Sequence, residues 1–422
     1  MTSGTIVSSG ETLFGMPVRT GRWVFVLAGM LLNACLGTFY TWSVFRTPVA
    51  RLFSTADVPI TAKQTSWPVL VQLLALFTLM PISGRIVQKV HPRTVSLVGS
   101  LLVGAGLILS SYATNINFLC ITYGVIAGAG VGIVYGIPIA VVIRWFPDLK
   151  GLAVGLTVLG FGMPALVTAP LAHALIETYG ILQTFLILGI ALLVAQVLMS
   201  LVLRFPPAGW RLEGWQGAAA AASERNFTPS EMLKTSSCLG LWLCFIIGSL
   251  SGLMAIGISR NVGQEVIKLK PATAAGLVSF SALFNGGGRP LFGWLSDAIG
   301  HGKAAALSLL LIVLASGAMV LFAGEGSVIL YAACFAAFGM GLGSWFAIAP
   351  TAVATYFGPK NYPTNYGIIF SAYGIGAILG SLSAGFVRDI FGSYIHAFHV
   401  SGSLATVGVI IALTLMKKPT PA

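Results

Sequence analysis

The chain has 422 residues, of which 56% are hydrophobic and only 8% carry a formal charge. A soluble domain has about 25% charged residues, so we expect this chain to be covered by a lipid bilayer rather than by water. The formal net charge of +12 comes from Lys and Arg residues that are scattered over short loops. This distribution argues against a nucleic-acid partner, which would need a continuous basic face.

Apolar segments long enough to cross a bilayer, which takes about 20 residues, recur along the whole chain. The first six lie at approximately 23–45, 65–84, 94–112, 117–143, 152–176 and 182–203. The second six lie at approximately 240–259, 273–295, 304–323, 328–354, 365–387 and 395–416. The sequence therefore predicts an all-α membrane protein with twelve transmembrane helices.

A long polar loop separates the two sets of segments. It occupies 204–238 and would join an N-terminal six-helix bundle at 1–203 to a C-terminal six-helix bundle at 239–422. Within the loop, Thr228 or Ser230 could cap the amino end of a short helix. Lys and Arg are more frequent in the loops that would share a side with both termini. We therefore place both termini in the cytoplasm and the chain in the plasma (inner) membrane.

The two halves of the chain resemble each other. A Gly-x-Gly-x-Gly run occurs in the fourth segment at 128–132 and again in the tenth at 339–343. The loop after the second segment likewise matches the loop after the eighth, with Gly84 at the position of Gly293. A repeat at a fixed spacing is evidence about architecture. An even number of helices in each half predicts two pseudo-symmetric bundles related by an axis along the membrane normal.

One charged residue, Arg289, lies well inside an apolar segment, the eighth. A guanidinium in hydrocarbon costs roughly 2.5–3.5 kcal/mol on insertion scales, so something must compensate its charge. A bound anion is the simplest candidate, because the planar donors of Arg suit a carboxylate and stay charged throughout a transport cycle. The alternative is a structural arginine that bonds backbone carbonyls or reaches the cytoplasmic interface.

The neighbours of Arg289 are also unusual. Asn285 lies one turn earlier on the same helical face, where it could orient Arg289 or donate to a substrate. The run 286–288 is all glycine and is followed two residues on by Pro290. These residues favour either a kinked helix that lines a cavity or close helix packing.

The chain has no acidic residue inside an apolar segment, since all eleven Asp and Glu lie in loops or at segment ends. No intramembrane carboxylate is therefore available to compensate Arg289 or to relay protons. Protons would travel on the carboxyl group of a substrate or through His173 in the fifth segment. A histidine at such a position is more often a hydrogen-bonded helix residue than a relay.

The twelve segments, the central loop and the pattern Gly293-x-x-x-Asp297-x-x-Gly-x-x-Lys303 resemble the major facilitator superfamily. Two longer strings, 284–290 and 127–148, resemble its branch of oxalate–formate antiporters and monocarboxylate transporters. The resemblance implies the major facilitator fold, a substrate-binding role for the arginine of the eighth segment, and a gating role for the Gly, Asp and Lys of the loop pattern.

The first-half loop departs from the superfamily pattern. Gln88 stands where Asp is usual, and His91 stands where Gly is usual. This departure puts the charge-pair gating role of that loop in doubt, but not the fold.

Two positions distinguish between substrates within the branch that the chain resembles. Tyr373 stands where the oxalate antiporter has a Lys, so a single cation, Arg289, remains to balance the substrate. One cation suits a monoanion, and we favour small monocarboxylates such as L-lactate or pyruvate over oxalate. Asn285 stands where the animal monocarboxylate transporters have Asp, and an amide cannot carry the coupling proton.

Aromatic residues could complete a cavity in which phenol hydroxyls bond the substrate and rings contact its methyl group. The candidates, besides Tyr373, are Tyr40, Tyr123, Tyr135, Tyr331, Phe335 and Phe346. The alternative is that these rings belong to an interfacial belt or pack in the bundle core.

The sequence as a whole predicts a secondary transporter, and not an enzyme, that carries a small monocarboxylate with a proton by alternating access. We expect it to be a monomer in the bilayer without cofactor or metal. One alternative is an anion antiporter of the oxalate–formate type. A second, from another class, is a membrane anion sensor that does not transport. A channel is less favoured, because no ring of charges or carbonyl filter is visible.

Overall fold

A computed structural model describes residues 12–37, 41–54, 60–61, 64–162, 167–213, 215 and 225–419. A short antiparallel hairpin, β1 (Thr12–Leu13) with β2 (Met16–Pro17), precedes the helices. The main helices of the first part of the chain are α1 (Trp23–Leu36), α2 (Trp42–Phe53), α3 (Trp67–Ile86), α4 (Pro92–Ser110), α5 (Gly128–Trp145), α6 (Lys150–Gly162) and α7 (Thr168–Val202). Those of the second part are α8 (Ser236–Glu265), α9 (Pro271–Ile299), α10 (His301–Phe322), α11 (Val328–Phe357), α12 (Tyr362–Phe391) and α13 (Ile395–Leu415).

Nine helices in the described ranges are long and apolar enough to cross a membrane. They are α3, α4, α5 with the turns before it, α7, α8, α10, α11, α12 and α13. The predicted eighth segment is α9, a continuous helix of 29 residues. The first predicted segment, 23–45, covers α1 and the beginning of α2, and residues 38–40 between them lie outside the described residues.

The fifth and sixth predicted segments are separated by a break within α7. The fifth corresponds to α6 and the beginning of α7, with 163–166 outside the described residues. Gly180 has φ 79° and ψ 168°, so α7 changes direction between the two predicted segments. A glycine tolerates this conformation, whereas a residue with a Cβ would be strained there.

The chain divides into two compact units, each assembled from separate stretches of sequence. The first unit comprises 1–148, 160–226 and 359–367, and the second comprises 149–159, 227–358 and 368–422. The beginning of α6 thus belongs to the second unit, and the beginning of α12 belongs to the first. The bundle boundaries proposed from the sequence remain a prediction.

The predicted capped helix in the central loop is confirmed. It spans Pro229–Leu233, and the Thr228 hydroxyl accepts a hydrogen bond from the Glu231 backbone N–H. The Glu231 carboxylate in turn accepts from the Thr228 backbone N–H at 2.8 Å. This reciprocal arrangement satisfies two N–H groups that a helix start otherwise leaves free.

The glycine run of α11 allows the helices of the second unit to pack closely. A Cβ at Gly339 or Gly343 would overlap the α9 backbone at Ser281 or Asn285, respectively. A Cβ at Gly341 would instead meet α10. The run therefore holds α11 against α9, the helix that carries Arg289.

The same contacts recur within the first unit. A Cβ at Gly128 or Gly132 of α5 would overlap α3 at Gln72 or Leu76, respectively, while Gly130 faces α4. The internal repeat thus extends from the glycine pattern to the helix pairs that the glycines bring together.

Candidate anion site on helix α9

Arg289 is 1% exposed and lies on the continuous helix α9. Its Nη1 donates to the Val158 carbonyl of α6, and its Nη2 donates to the Asn285 side-chain oxygen at 3.1 Å. The guanidinium carbon lies 4.5 Å from the centre of the Phe346 ring, on α11. Three helices therefore contribute to the surroundings of one charge, and the predicted pairing of Asn285 with Arg289 is confirmed.

One donor of Arg289 is unused. The buried Nε has no hydrogen-bond partner, and within the described ranges no Asp or Glu forms an ion pair with this side chain. A buried donor without a partner costs about 1–3 kcal/mol, and more for a charged group. The site thus has an uncompensated positive charge and a free donor in one place, which is the requirement for binding an anion.

Aromatic rings make the surroundings of the guanidinium apolar. Phe346 is fully buried, and Tyr373 of α12 lies against it with 5.0 Å between ring centres. Phe245 and Phe370 complete the cluster, at 6.4 and 6.2 Å from Phe346. In such a low-dielectric environment an electrostatic attraction is stronger than in water. The structure thus brings four of the candidate residues, Arg289, Asn285, Phe346 and Tyr373, to one region.

One of the three glycines before Arg289 lies at a close helix contact. A Cβ at Gly288 would lie 2.7 Å from the Met340 carbonyl oxygen of α11, so glycine allows the close approach. The helix continues through Pro290 to Ile299 rather than ending there. The packing interpretation therefore accounts for Gly288, and α9 presents Arg289 from a regular helix.

Asp297 and Gly293 lie further along α9, against the first turn of α6. The Asp297 carboxylate accepts hydrogen bonds from the backbone N–H groups of Gly151 at 2.8 Å and Leu152 at 3.0 Å. Gly293 packs directly on the backbone of Gly151. Asp297 thus caps the amino end of α6, where the helix dipole favours a negative charge. Lys303, the last residue of the predicted motif, is exposed on α10.

Gln88 has a corresponding contact in the first unit. Its side-chain amide donates to the Thr364 hydroxyl at 3.0 Å and to the Gly84 carbonyl at 3.1 Å. A neutral side chain therefore still reaches the beginning of α12, although it cannot provide the charge that Asp297 provides at α6.

Tyr331 and Phe335 form a separate aromatic cluster of the second unit. Their rings are 4.5 Å apart, and Phe335 also packs on Phe338 and Phe398. The Tyr331 hydroxyl donates to the Ser259 carbonyl at 2.6 Å. This geometry matches the packing alternative, because the hydroxyl is already bonded to the protein.

The other candidate tyrosines, Tyr40, Tyr123 and Tyr135, belong to the first unit, and Tyr40 lies outside the described residues. Tyr123 lies in a π-helical stretch, Cys120–Ala127, with its ring 4.6 Å from that of Trp42. Its buried hydroxyl has no hydrogen-bond partner, which leaves a polar group available. Tyr135 packs on Phe161 at 4.8 Å.

His173 lies on α7 with 64% of its side chain exposed. Its Nδ1 is 3.5 Å from the Glu177 carboxylate one turn later. The histidine considered as a proton relay thus lies in an exposed pair with Glu177.

Two contributors to the site were not identified from the sequence. The Val158 carbonyl has no sequence signature, because every residue carries such a group. The close packing of α6 on α9 could have been predicted from the sequence, because two glycines are spaced four apart in Gly151-x-x-x-Gly155. Small residues four apart favour close approach of membrane helices, and a Cβ at Gly155 would indeed overlap the backbone of Arg289.

The described part of the chain is mostly helical and has nine helices that are long and apolar enough to cross a membrane, which indicates a multi-pass membrane protein. The family model for the Major Facilitator Superfamily matches residues 26–381 and 264–422, and the chain belongs to this superfamily. The predicted all-α membrane fold of this superfamily is thereby confirmed. The relatives are transporters, so the chain is a transporter and not an enzyme.

Two relatives and one solved structure illustrate the similarity. The oxalate:formate antiporter of Oxalobacter formigenes is 31% identical, over 88% of this chain and 86% of the relative. Monocarboxylate transporter 13 of Rattus norvegicus is 24% identical, over 93% of this chain and 88% of the relative. The proton:xylose symporter XylE, at 12% identity, superposes with a TM-score of 0.75 over 95% of this chain and 97% of its own, which shows the fold alone.

Proposed function

We propose that this protein is a secondary active transporter of small monocarboxylates, with Arg289 binding the carboxylate. The observation that carries the proposal is the unused donor of a buried guanidinium that has no acidic partner in the described part of the chain. The oxalate:formate antiporter and monocarboxylate transporter 13, as relatives along most of the chain, support an organic anion as the substrate.

The contacts of Arg289 constrain how a carboxylate would bind. Phe346 covers one face of the guanidinium at 4.5 Å, so an anion would meet the group in its own plane. In-plane, bidentate contacts are the strongest that Arg makes with a carboxylate. The free Nε and the Nη2 that contacts Asn285 lie on the same edge of the group, which makes this edge the proposed docking position.

The charge of the site favours a monoanion. Arg289 is a single cation, and its aromatic neighbours Phe346 and Tyr373 carry no charge. A monocarboxylate would neutralise the site, whereas a dianion would leave a buried negative charge, which is costly in a low dielectric. L-lactate and pyruvate fit this charge requirement and present a small apolar group to the rings.

A proton would accompany the substrate rather than reside on the protein beside Arg289. Asn285 cannot titrate, and the substrate carboxylate itself is the group nearest to the proposed site that can take up a proton. We further propose alternating access between the bundles 1–203 and 239–422, in a monomer of the inner membrane with both termini in the cytoplasm.

Uptake of radiolabelled L-lactate into proteoliposomes, with and without an inward proton gradient, tests the proposal. We expect uptake that the gradient stimulates, that a protonophore abolishes, and that is lost in Arg289→Gln. Exchanging the exposed Arg260 for Gln makes the same substitution away from the site and is expected to change the half-saturation concentration far less. Uptake by Arg289→Gln at the wild-type level would contradict the assigned site.

A second candidate is an anion antiporter, which the 31% identity to the oxalate:formate antiporter favours. Loading the liposomes with formate or oxalate distinguishes the two mechanisms. Stimulation by the internal anion, together with indifference to the proton gradient, would establish exchange. Inhibition of lactate uptake by oxalate would further favour a dicarboxylate substrate.

A further inference from the structure

Helix α6 is attached to α9 by opposite charges at its two ends. At its amino end, the Asp297 carboxylate accepts hydrogen bonds from the N–H groups of Gly151 and Leu152. Towards its carboxyl end, Arg289 donates to the Val158 carbonyl. Asp297 and Arg289 lie about two turns apart on α9, so one helix supplies both charges.

Both charges complement the dipole of α6. A helix carries partial positive charge at its amino end and partial negative charge at its carboxyl end. Asp297 lies at the positive end and Arg289 near the negative end. Each contact therefore stabilises the docking of α6 electrostatically, in addition to its hydrogen bonds.

Between these ends the two helices pack backbone to backbone. Gly151 lies against Gly293, and Gly155 lies against Arg289 and Pro290. Little side-chain surface is interposed, so less apolar area is available to hold α6 than at an interface of large side chains. The two charged contacts therefore contribute a larger share of the free energy that holds α6 against α9.

We propose that carboxylate binding at Arg289 releases the carboxyl end of α6 from α9, while the cap by Asp297 holds the amino end. This inference rests on the function proposed above. A carboxylate bound at the edge formed by Nε and Nη2 neutralises the guanidinium, which weakens the attraction of Nη1 for the Val158 carbonyl of α6. Helix α6 then pivots about its first turn.

This arrangement links occupancy of the site to the position of a helix. A ligand shifts a conformational equilibrium only through its different affinity for the two states. In the docked state the Val158 carbonyl accepts from Nη1 of Arg289, whereas in the released state Nη1 is also free for the substrate and only Nη2 keeps its contact with Asn285. The carboxylate therefore binds the released state more tightly.

Hydrogen exchange of the full-length protein in lipid nanodiscs, followed by mass spectrometry, tests the release. Peptides covering 150–162 are compared in sodium chloride and in sodium L-lactate, pyruvate or oxalate, with binding followed in parallel by thermal stabilisation. We expect the bound carboxylate to accelerate exchange at 155–162 by roughly threefold to tenfold, while 150–154 stays protected.

Two variants test the contacts at the two ends of α6 independently. Arg289→Met is expected to give fast exchange at 155–162 without ligand and no further response to ligand, and Asp297→Asn is expected to give fast exchange at 150–154. The matched controls Arg260→Met and Glu325→Gln remove the same charges from exposed positions and should leave 150–162 as in the wild type. If Arg289→Met does not fold, the release of α6 is tested with Arg289→Lys and with the wild type in the presence and absence of carboxylate.

The outcomes distinguish this inference from the proposed function. If a carboxylate stabilises the protein but exchange at 155–162 is unchanged or slower, the release is refuted and the binding site stands. If no carboxylate stabilises the protein, both the monocarboxylate function and the release are refuted.

Discussion

In the described part of the chain, two arginines are buried under aromatic rings, and the two differ in how their charge is balanced. Arg22 is 4% exposed and forms a two-pronged ion pair with Asp148, with nitrogen–oxygen distances of 2.6 and 2.7 Å. Its guanidinium lies 4.3 Å from the Phe146 ring, close to the 4.5 Å that separates Arg289 from Phe346. The aromatic cover is thus alike, but Arg289 has only a carbonyl and an amide oxygen as acceptors.

We propose that the difference separates a structural charge from a binding charge. Arg22 needs nothing further, because its carboxylate is built into the chain. Arg289 keeps a buried donor free, and the compensating anion must come from outside. A permanent partner at Arg289 would compete with any substrate, so the missing acid is what makes this arginine useful for binding.

The largest effect is expected from breaking the pair of the first unit. Arg22→Met leaves Asp148, whose side chain is 22% exposed, without its buried partner, so we expect a loss of about 3 kcal/mol of unfolding free energy, the low end for a buried pair. Thermal unfolding in detergent measures it. The double variant Arg22→Met with Asp148→Leu should recover most of the loss, and an unchanged melting temperature for the single variant would show that the pair contributes little.

Replacing the binding arginine should affect affinity more than stability. Arg289→Lys keeps the charge but loses the planar fork, so we expect carboxylate affinity to fall about tenfold to a hundredfold. The half-saturation concentration of L-lactate uptake measures this change. Arg46→Lys, an exchange at an arginine outside the site, is the matched control. Equal affinities for wild type and Arg289→Lys would mean that the fork does not hold the substrate.

Supplying the missing acid next to Arg289 should produce a pH-dependent competitor. Asn285→Asp places a carboxylate where the amide oxygen now accepts from Nη2 at 3.1 Å. The ionised Asp would compete with the substrate, so we expect weaker uptake near neutral pH by about fivefold to twentyfold. Lowering the pH protonates the Asp and should restore uptake. A variant as active as the wild type at neutral pH would contradict the competition.

Removing the ring over the guanidinium should have the smallest effect. Phe346→Leu loses a cation–π contact worth about 0.5–2 kcal/mol, which corresponds to an affinity change of about twofold to thirtyfold. Titration of lactate binding measures it, with Phe335→Leu in the other aromatic cluster as the control. If Phe335→Leu weakens binding more than Phe346→Leu, the substrate lies nearer to the Tyr331 cluster.

The sequence predicted the arginine and its polar neighbour, because both depend on local rules. A single charge inside an apolar segment is visible without a structure, and Asn285 precedes Arg289 by the one-turn spacing that brings helical side chains together. The aromatic neighbours were harder to choose. Helix α11 is buried on almost every side, so its apolar pattern does not reveal which ring faces Arg289.

The boundary between the fifth and sixth predicted segments falls at Gly180, where α7 turns. The Val158 contact could not be predicted, because it depends on tertiary packing. The exposed position of His173 likewise depends on how α7 is rotated, and a short apolar pattern does not determine that rotation.

Direct binding of radiolabelled L-lactate to the purified protein tests the central claim that Arg289 is the carboxylate site. Wild type and Arg289→Gln would be compared at the same folded fraction, with non-radioactive L-lactate as the competitor. We predict saturable binding to the wild type and none to Arg289→Gln. Saturable binding of equal affinity to both proteins would contradict the claim.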